Sequence, residues 1–573
     1  MRTGRVHGLN YRLSWLGMVA VVVSSLWIAP LEADVVHVDP LQGADVADRG
    51  ASDAPYRTVT YALSQLAARG VEDIELRLAG GEYVGDRAGA GAPETFPIEI
   101  PPATRVFRLT SLGSGESEPR FVSRDSQLYV FQFVPRVVPD AVAAESPVSV
   151  VMTRMQFESV YSGLSVCGPA RRPLSVTADR CFFTRLDGSG LEIVAGPEAE
   201  TDVEVVACEF ERCGSGLSVE ALDDARARVF VEYCVFRHIR PLVPGGVFGG
   251  AIEIHADPAG NVEGHFTKNR FLDSTGGFVL TTANDIGAPR GKFSIRIDNS
   301  VFHSTGLTRC TGDQAPGIEC TNSSMRHGLY LSLWPERLAE LSIALVNNTF
   351  LGIGERVVFV DNQEQLGETP IPLDAVNNVF WPAARAGIGS FAGKTLPAGM
   401  EIRYSLVPPH WDLGNPANGN FSEDPQLPDD PLGSFLPPPN SSIIDRGLEG
   451  VGEGPEDLLG RCRLTKDRPD VGAVESRGVC RLPGPFRRGD CNLDETVELG
   501  DAITLFSFLF LTGRPLRCHD ACDANDDGML NLSDGIYILQ YLFLGEREPP
   551  EPFQQRGWDE TPDQLPPCPG ASG

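Results

Sequence analysis

A short apolar stretch ending in phenylalanine recurs along the middle of the chain. Phe157, Phe183, Phe210, Phe236, Phe271, Phe302, Phe350 and Phe380 each close one copy. The first four are 26, 27 and 26 residues apart, and the later intervals lengthen as if loops had been inserted. Upstream, Val150, Val176, Val203, Val229, Ile295 and Ile343 share one register. Met152, Ala178, Val205, Val231, Phe266 and Ile297 share the register two residues on. Period two puts both sets on one face of a strand, and Thr177, Glu204, His265 and Arg296 on the other. Two residues before each phenylalanine stands Met155, Cys181, Cys208, Cys234, Asn269, Ser300, Asn348 or Asn378. Six or seven residues after several of them stands Gly163, Gly190, Gly216 or Gly277, leading into a second short strand such as Gly-Leu-Ser-Val at 163–166.

A unit of ~26 residues with one apolar face cannot bury that face alone, but stacked units can. Each coil then pairs with the next at ~4.8 Å. Equivalent Asn, Ser and Cys side chains stack at the turns and satisfy backbone groups. The pattern therefore predicts a mainly β chain built as a parallel β-helix. A sandwich of many short strands is disfavoured by the fixed period and the matched residue types. Ahead of the repeats, Thr58 is placed to N-cap a short helix whose Val59, Ala62, Leu63 and Leu66 face the core.

Both flanks of the repeat carry a resemblance. Val38-Asp39-Pro40, Gly43, Asp45, Gly50, Pro55-Tyr56-Arg57-Thr58-Val59, Ala62-Leu63 and Gly81-Glu82-Tyr83 resemble the opening of secreted right-handed β-helix proteins of the pectate-lyase-like superfamily. Asp424-Pro425, the segment from Ser442 to Gly447 and the segment from Asp470 to Glu475 resemble their closing segment. The resemblance spans roughly residues 35–476. It implies a right-handed solenoid with an N-terminal capping helix and leaves activity open, because one solenoid hosts many functions.

Charge and targeting narrow the setting. With 77 acidic and 48 basic residues the formal charge is -29, which excludes nucleic acid as an expected partner. Arg2, Arg5 and Arg12 precede an apolar run from about Leu13 to Ala29, and Ala33 offers a cleavage edge. The run is shorter than the ~20 residues of a spanning helix. Residues 1–33 are therefore expected to be a signal peptide, 34–480 the β-helix domain and 481–573 a separate module, secreted or held at the cell surface. Thirteen cysteines in an exported chain imply disulfides. Cys310–Cys320 and Cys462–Cys480 are local candidates, with connectivity left open.

The last ninety residues hold two loops with oxygen donors at positions 1, 3, 5, 7, 9 and 12. The first is Asp490, Asn492, Asp494, Thr496, Glu498 and Asp501; the second is Asp523, Asn525, Asp527, Met529, Asn531 and Asp534. Such spacing suits Ca2+, a hard cation taking 6–8 oxygens, with Thr496 and Met529 giving backbone carbonyls. Gly528 supplies the sharp turn at position 6, where the first loop has Glu495. Val497 and Leu530 at position 8 are expected to pair. An apolar helix follows each loop, with Gly513 and Gly545 as stop signals. This duplicated loop and helix ending in Asp resembles a type I dockerin, in the variant of planctomycete exported proteins that has a Pro-rich tail. The resemblance implies a calcium-dependent EF-hand-type module, a cohesin-like scaffold as partner, and a tail that Cys518 and Cys568 can close.

No catalytic signature stands out. On the outer face of the first strand, Glu232, His265, Arg296 and Asp298 are candidate catalytic residues on three neighbouring coils, the arginine for charge at a uronate and the carboxylates for hydrolysis. In the second strand Glu192, Glu220, Glu253 and His255 are expected to form one outward acidic column. An irregular insertion from about His303 to His327 holds Cys310, Asp313 and Cys320. The expected function is binding or cleavage of an acidic or sulfated polysaccharide, as a lyase or glycoside hydrolase if an enzyme, with dockerin-like attachment to a scaffold or surface. The alternative is a non-enzymatic adhesion protein with the solenoid as stalk.

Overall fold

The computed structural model describes residues 34–86, 93–113, 118–123, 128–134, 147–240, 250–257, 259–274, 276–282, 291–303, 327–332, 338–353, 356–361, 372–381, 387–388, 399–411, 416–428, 435–451, 456–461, 463, 468–476, 486–510, 516, 518–528, 530–545 and 547–557. Residues 1–33, expected to be a signal peptide, most of the 303–327 insertion with Cys310, Asp313 and Cys320, and Cys462, Cys480, Gly513, Met529 and Cys568 lie outside these residues. Among the described residues no helix is long and apolar enough to cross a membrane.

Three parallel sheets of 12, 11 and 10 strands run the length of the solenoid. One coil supplies one strand to each in turn, as Leu174–Asp179, Phe182–Thr184 and Ser189–Ala195 do. The next coil repeats them as Glu200–Val206, Glu209–Glu211 and Ser215–Ala221. Register is kept across coils, with Val176 opposite Val203 and Phe183 opposite Phe210. The expected β-helix is present.

The phenylalanines form one continuous ring stack, longer than the sequence pattern indicated. It begins at Tyr83 and Phe121, runs through the eight repeat phenylalanines and ends on Trp411, with centroids 4.4–5.6 Å apart. The glycines of the third strands exist for this stack. A Cβ on Gly190 would lie 2.6 Å from the Phe210 ring, and one on Gly216 2.5 Å from Phe236.

Beside the rings runs a buried hydrogen-bond ladder. The amide of Cys181 donates to Cys208 Sγ, Cys208 to Cys234 Sγ, and Cys234 to Asn269 Oδ1. It continues through Ser300, Asn348, Asn378 and Ser405 to Asn420. These are the positions expected to stack. The corner residue just before each rung is left-handed although it is rarely glycine: Arg154, Arg180, Ala207, Tyr233 and Lys268 have φ of 51–59°. Its amide bonds the carbonyl of the next coil, as Arg180 does to Val206 at 2.9 Å, which offsets the ~1–2 kcal/mol cost of that conformation.

The N-terminal end is closed by helix α1, Val59–Ala68. Thr58 caps it by accepting from the Tyr61 amide, and Val59, Ala62, Leu63 and Leu66 are buried as expected. Glu94 also accepts from the Val59 and Thr60 amides. The closing segment does not simply plug the opposite end. Phe421, Phe435, Ile443, Leu458, Val471 and Val474 pack against Leu272, Val301, Leu351 and Val379, so the segment folds back along the flank of the second sheet. It is pinned by Arg463, which donates to Asn299 Oδ1 at 2.6 Å and to buried Glu475 at 2.9 Å.

The C-terminal residues build a core of their own from helices α2 (Leu499–Phe510), α3 (His519–Cys522) and α4 (Leu532–Leu544). Val497 and Leu530 both pack against it. Gly535 lies under the Phe506 ring, where a Cβ would be 2.1 Å away. Gly545 ends α4 in the left-handed conformation. A disulfide not foreseen from the sequence joins Cys491 to Cys522, tying the starts of the two loops together. Cys518 is disulfide-bonded as well.

Candidate functional sites

The two C-terminal loops share one hydrogen-bond pattern. In the first, Asp490 accepts from the amides of Asp494 and Glu495, and Asp501 from those of Asn492 and Glu498. In the second, Asp523 accepts from Asp527 and Gly528, and Asp534 from Asn525 and Asn531. Position 6 is left-handed in both, with φ of 73° at Glu495 and 74° at Gly528. Carboxylate oxygens of Asp523, Asp527 and Asp534 lie within 4.8 Å of one another; among the described residues the first loop's trio is not gathered so closely. Burial pushes Asp501 up to about 6 and Asp534 up to about 7. A donor set of clustered carboxylates, with Asp523 and Asp534 buried and Asp527 exposed, fits a hard cation.

The first-sheet cluster is differently disposed from the expectation. His265 does stand opposite Arg296, and Glu232 is in line with Thr267 and Asp298. Asp298, expected to face solvent, is buried at 1% exposure. It accepts from Arg296 at 3.2 Å and from Asn347 at 3.4 Å. Glu232 lies 3.7 Å from the Lys268 ammonium, which also reaches Glu456 of the folded-back closing segment at 3.4 Å. His265 stacks on Phe230, centroids 5.4 Å apart. These groups are largely engaged in holding coils and closing segment together.

On the third sheet, Glu192, Glu220, Glu253 and His255 were expected in one column and stand in two. Glu192, Ser218 and Glu253 align on successive coils; Val194, Glu220, His255 and Thr281 form the parallel column two residues on. Period two explains the correction: Glu253 and His255 share a face and a coil but not a column. Burial pushes the Glu253 carboxyl up to about 7, against the Gly250 amide that donates to it at 3.0 Å. Glu192 is also raised by burial, opposed by hydrogen bonds from Ser165 and Tyr129. Asp257, missed in the sequence reading, joins Glu220 and His255 with ligand atoms within 4.8 Å. The alternation Glu-x-His-x-Asp at 253–257 was the signal available for it.

A further recess of about 640 Å³ lies where the last coils meet the closing segment, lined by Tyr404, Phe421, Glu423, Arg446 and Arg468 among others. The Arg446 guanidinium lies 3.7 Å over the Phe421 ring and pairs with Glu423 at 3.0 Å. Arg468 lies 5.2 Å over Tyr404 and donates Nε to the Gly447 carbonyl at 2.8 Å. Among the described residues no carboxylate pairs with Arg468, and the described lining holds two arginines and one glutamate. Its residues come from distant parts of the sequence, so no linear motif announced it.

Among solved structures the chain is similar to pectate lyase Pel9A, at 15% identity over 78% of this chain and 98% of that one, with a TM-score of 0.32. It is similar to XylC in complex with xylose at 8% identity over 77% and 98%, TM-score 0.35. It is similar to bacteriophage CBA120 tailspike protein 3 at 12% identity over 65% and 62%, TM-score 0.25. No curated protein matches. Residues 41–117, the capping helix and first coils, match a family described as "Protein of unknown function (DUF1565)".

Proposed function

We propose that the chain is an extracellular β-helix protein that binds an acidic polysaccharide and is attached through a calcium-loaded C-terminal module. The observation that carries this reading is the recess between Tyr404, Phe421, Arg446 and Arg468. A guanidinium stacked on a ring is held in plane with its N–H edge outward, which suits it to fork a uronate carboxylate or a sulfate. Arg468 supplies that edge, and among the described residues no carboxylate competes for it. Binding of uronate-containing or sulfated oligosaccharides, followed by calorimetry on the full chain, tests the reading. Arg468→Gln is expected to weaken the interaction at least tenfold, since a charged hydrogen bond is worth ~1.5–3 kcal/mol. No binding to any acidic glycan would leave the stalk reading in its place.

Cleavage is a second reading, favoured by Glu192 and Glu253. They flank Ser218 two rungs apart, ~9.6 Å at ~4.8 Å per rung, close to the ~6.5–9.5 Å that lets a water act beside an acid and a base. Under this reading Glu253 is the acid, and Glu253→Gln abolishes turnover while leaving binding in the recess intact.

The module is proposed to take Ca2+ through Asp490, Asn492, Asp494, Thr496, Glu498 and Asp501 in the first loop, and through Asp523, Asn525, Asp527, Met529, Asn531 and Asp534 in the second. The gathering of Asp523, Asp527 and Asp534 supports it. Leu499 and Ile503 on α2 and Leu532 and Ile536 on α4 are exposed at equivalent positions. That repeated apolar pair supports docking to a cohesin-like scaffold.

A further inference from the structure

We propose that Glu220, His255 and Asp257 form a binding site for a divalent transition metal, with Zn2+ or Mn2+ the chemical class it fits, separate from the calcium loops. The site is built by strand register. Glu220, on the strand Ser215–Ala221, stands directly opposite His255 on Ile252–Ala256 in the next coil. Asp257 follows two residues after His255, and its amide is held by the Ala221 carbonyl at 2.9 Å. One ligand atom from each of the three lies within 4.8 Å of the others, and His255 Nε2 is 3.8 Å from Asp257 Oδ1. Two ligands at ~2.0–2.2 Å from one tetrahedral ion are ~3.4 Å apart, so only a small closure of the side chains brings all three donors to one ion.

The imidazole is oriented from behind. On the following coil Thr281, itself buried, places Oγ1 2.7 Å from His255 Nδ1. With the proton on Nδ1 donated to Thr281, the Nε2 lone pair faces the two carboxylates. An imidazole nitrogen and two carboxylates converging on one point form a donor set that a bound cation can satisfy. Metal-bound histidines are commonly fixed by such a partner on the other ring nitrogen. The donor set selects the ion: an imidazole nitrogen with two carboxylates favours Zn2+ or Mn2+ over Ca2+, whose sites are all oxygen. The site lies half-exposed on the third sheet, and a metal there retains open positions for water or a ligand.

The test uses the full chain saturated with Ca2+, so that the C-terminal loops are occupied, and titrates Zn2+ by calorimetry. One equivalent is expected to bind. His255→Ala and Glu220→Gln should each weaken it at least tenfold, and Thr281→Val, acting only through the ring orientation, by about tenfold. Cys167→Ser, a control for the exposed thiol two rungs from Glu220, should leave it unchanged. Zn2+ should also protect His255 of the unaltered chain from diethylpyrocarbonate, read by mass spectrometry, which needs no variant to fold. Uptake of Zn2+ unaffected by His255→Ala, uptake lost with Cys167→Ser, or no protection of His255 would each overturn the site.

Discussion

Phe210 is sandwiched between Phe183 and Phe236, 4.8 Å from each and within 3° of parallel. Neither neighbour can move in to fill its place, because each is held by its own coil. Phe210→Ala is therefore expected to cost ~3–5 kcal/mol, measured by chemical unfolding. The opposite change at the same contact is also damaging. Gly216→Ala would set a methyl 2.5 Å from the Phe236 ring and should destabilise by ~1–3 kcal/mol through overpacking. The phenylalanines were legible in the sequence because they recur at a fixed interval. Tyr83, Phe121 and Trp411 were not, because they stand outside the regular period and only the stack itself identifies them. The role of the glycines was also hidden: their backbone is ordinary, and the requirement comes from a ring one coil away.

Single elements show where the pattern misleads. The acidic residues of the third sheet alternate correctly, yet Glu253 and His255 belong to different columns, and the register between coils decides that Glu192 lines up with the first and Glu220 with the second. The closing segment was recognised by resemblance, but its path along the second sheet depends on long-range contacts such as Arg463 to Asn299. That path is why Glu232 is tied through Lys268 to Glu456, in contacts that the strand pattern alone did not suggest. The segment gathers Asp457, Asp470 and Glu475, all buried, around buried Arg463. Burial pushes Glu475 up to about 8 against the pull of Arg463. The folded state thus keeps a proton that the unfolded chain loses near the ordinary glutamate value of ~4.3. Its contribution is complete below that value and is lost as pH rises towards 8. Thermal unfolding between pH 5 and 8 should show falling stability with rising pH, and Glu475→Gln should flatten the slope.

At the scale of the whole molecule, two kinds of stability are joined in one chain. The solenoid is held by many equivalent neighbour contacts, whereas the C-terminal core is small: among the described residues, five buried apolar side chains surround the Cys491–Cys522 disulfide. The proposed calcium loops supply what such a core lacks, because binding energy becomes folding energy. Removing Ca2+ from the full chain is expected to make α2 and α4 sensitive to protease while the coils stay resistant, and restoring it should reverse the change. Asp523→Ala should weaken the response more than Asp490→Ala, since the second loop has the gathered carboxylates and glycine at position 6. Equal effects, or no calcium response, would count against the proposed module. The repeated loop-and-helix pattern made the two long helices of this region readable from sequence. The recess around Arg468 depends on chain crossing, which no local pattern carries.

The ladder from Cys181 to Asn420 has a consequence for how the chain can change length. Each rung asks the same thing of the next coil: one acceptor, at one place, for one amide. Cys, Ser and Asn meet that demand interchangeably, so the joint between coils is standard although the residues differ. Excising the 27 residues from Cys181 to Ala207 would bring Cys208 to the position Cys181 leaves, with a ring, a glycine and an acceptor all in register. The shortened protein should fold with one fewer coil, whereas a cut of half that length should not fold at all. A chain with such joints can lengthen or shorten by whole coils and keep both its ends.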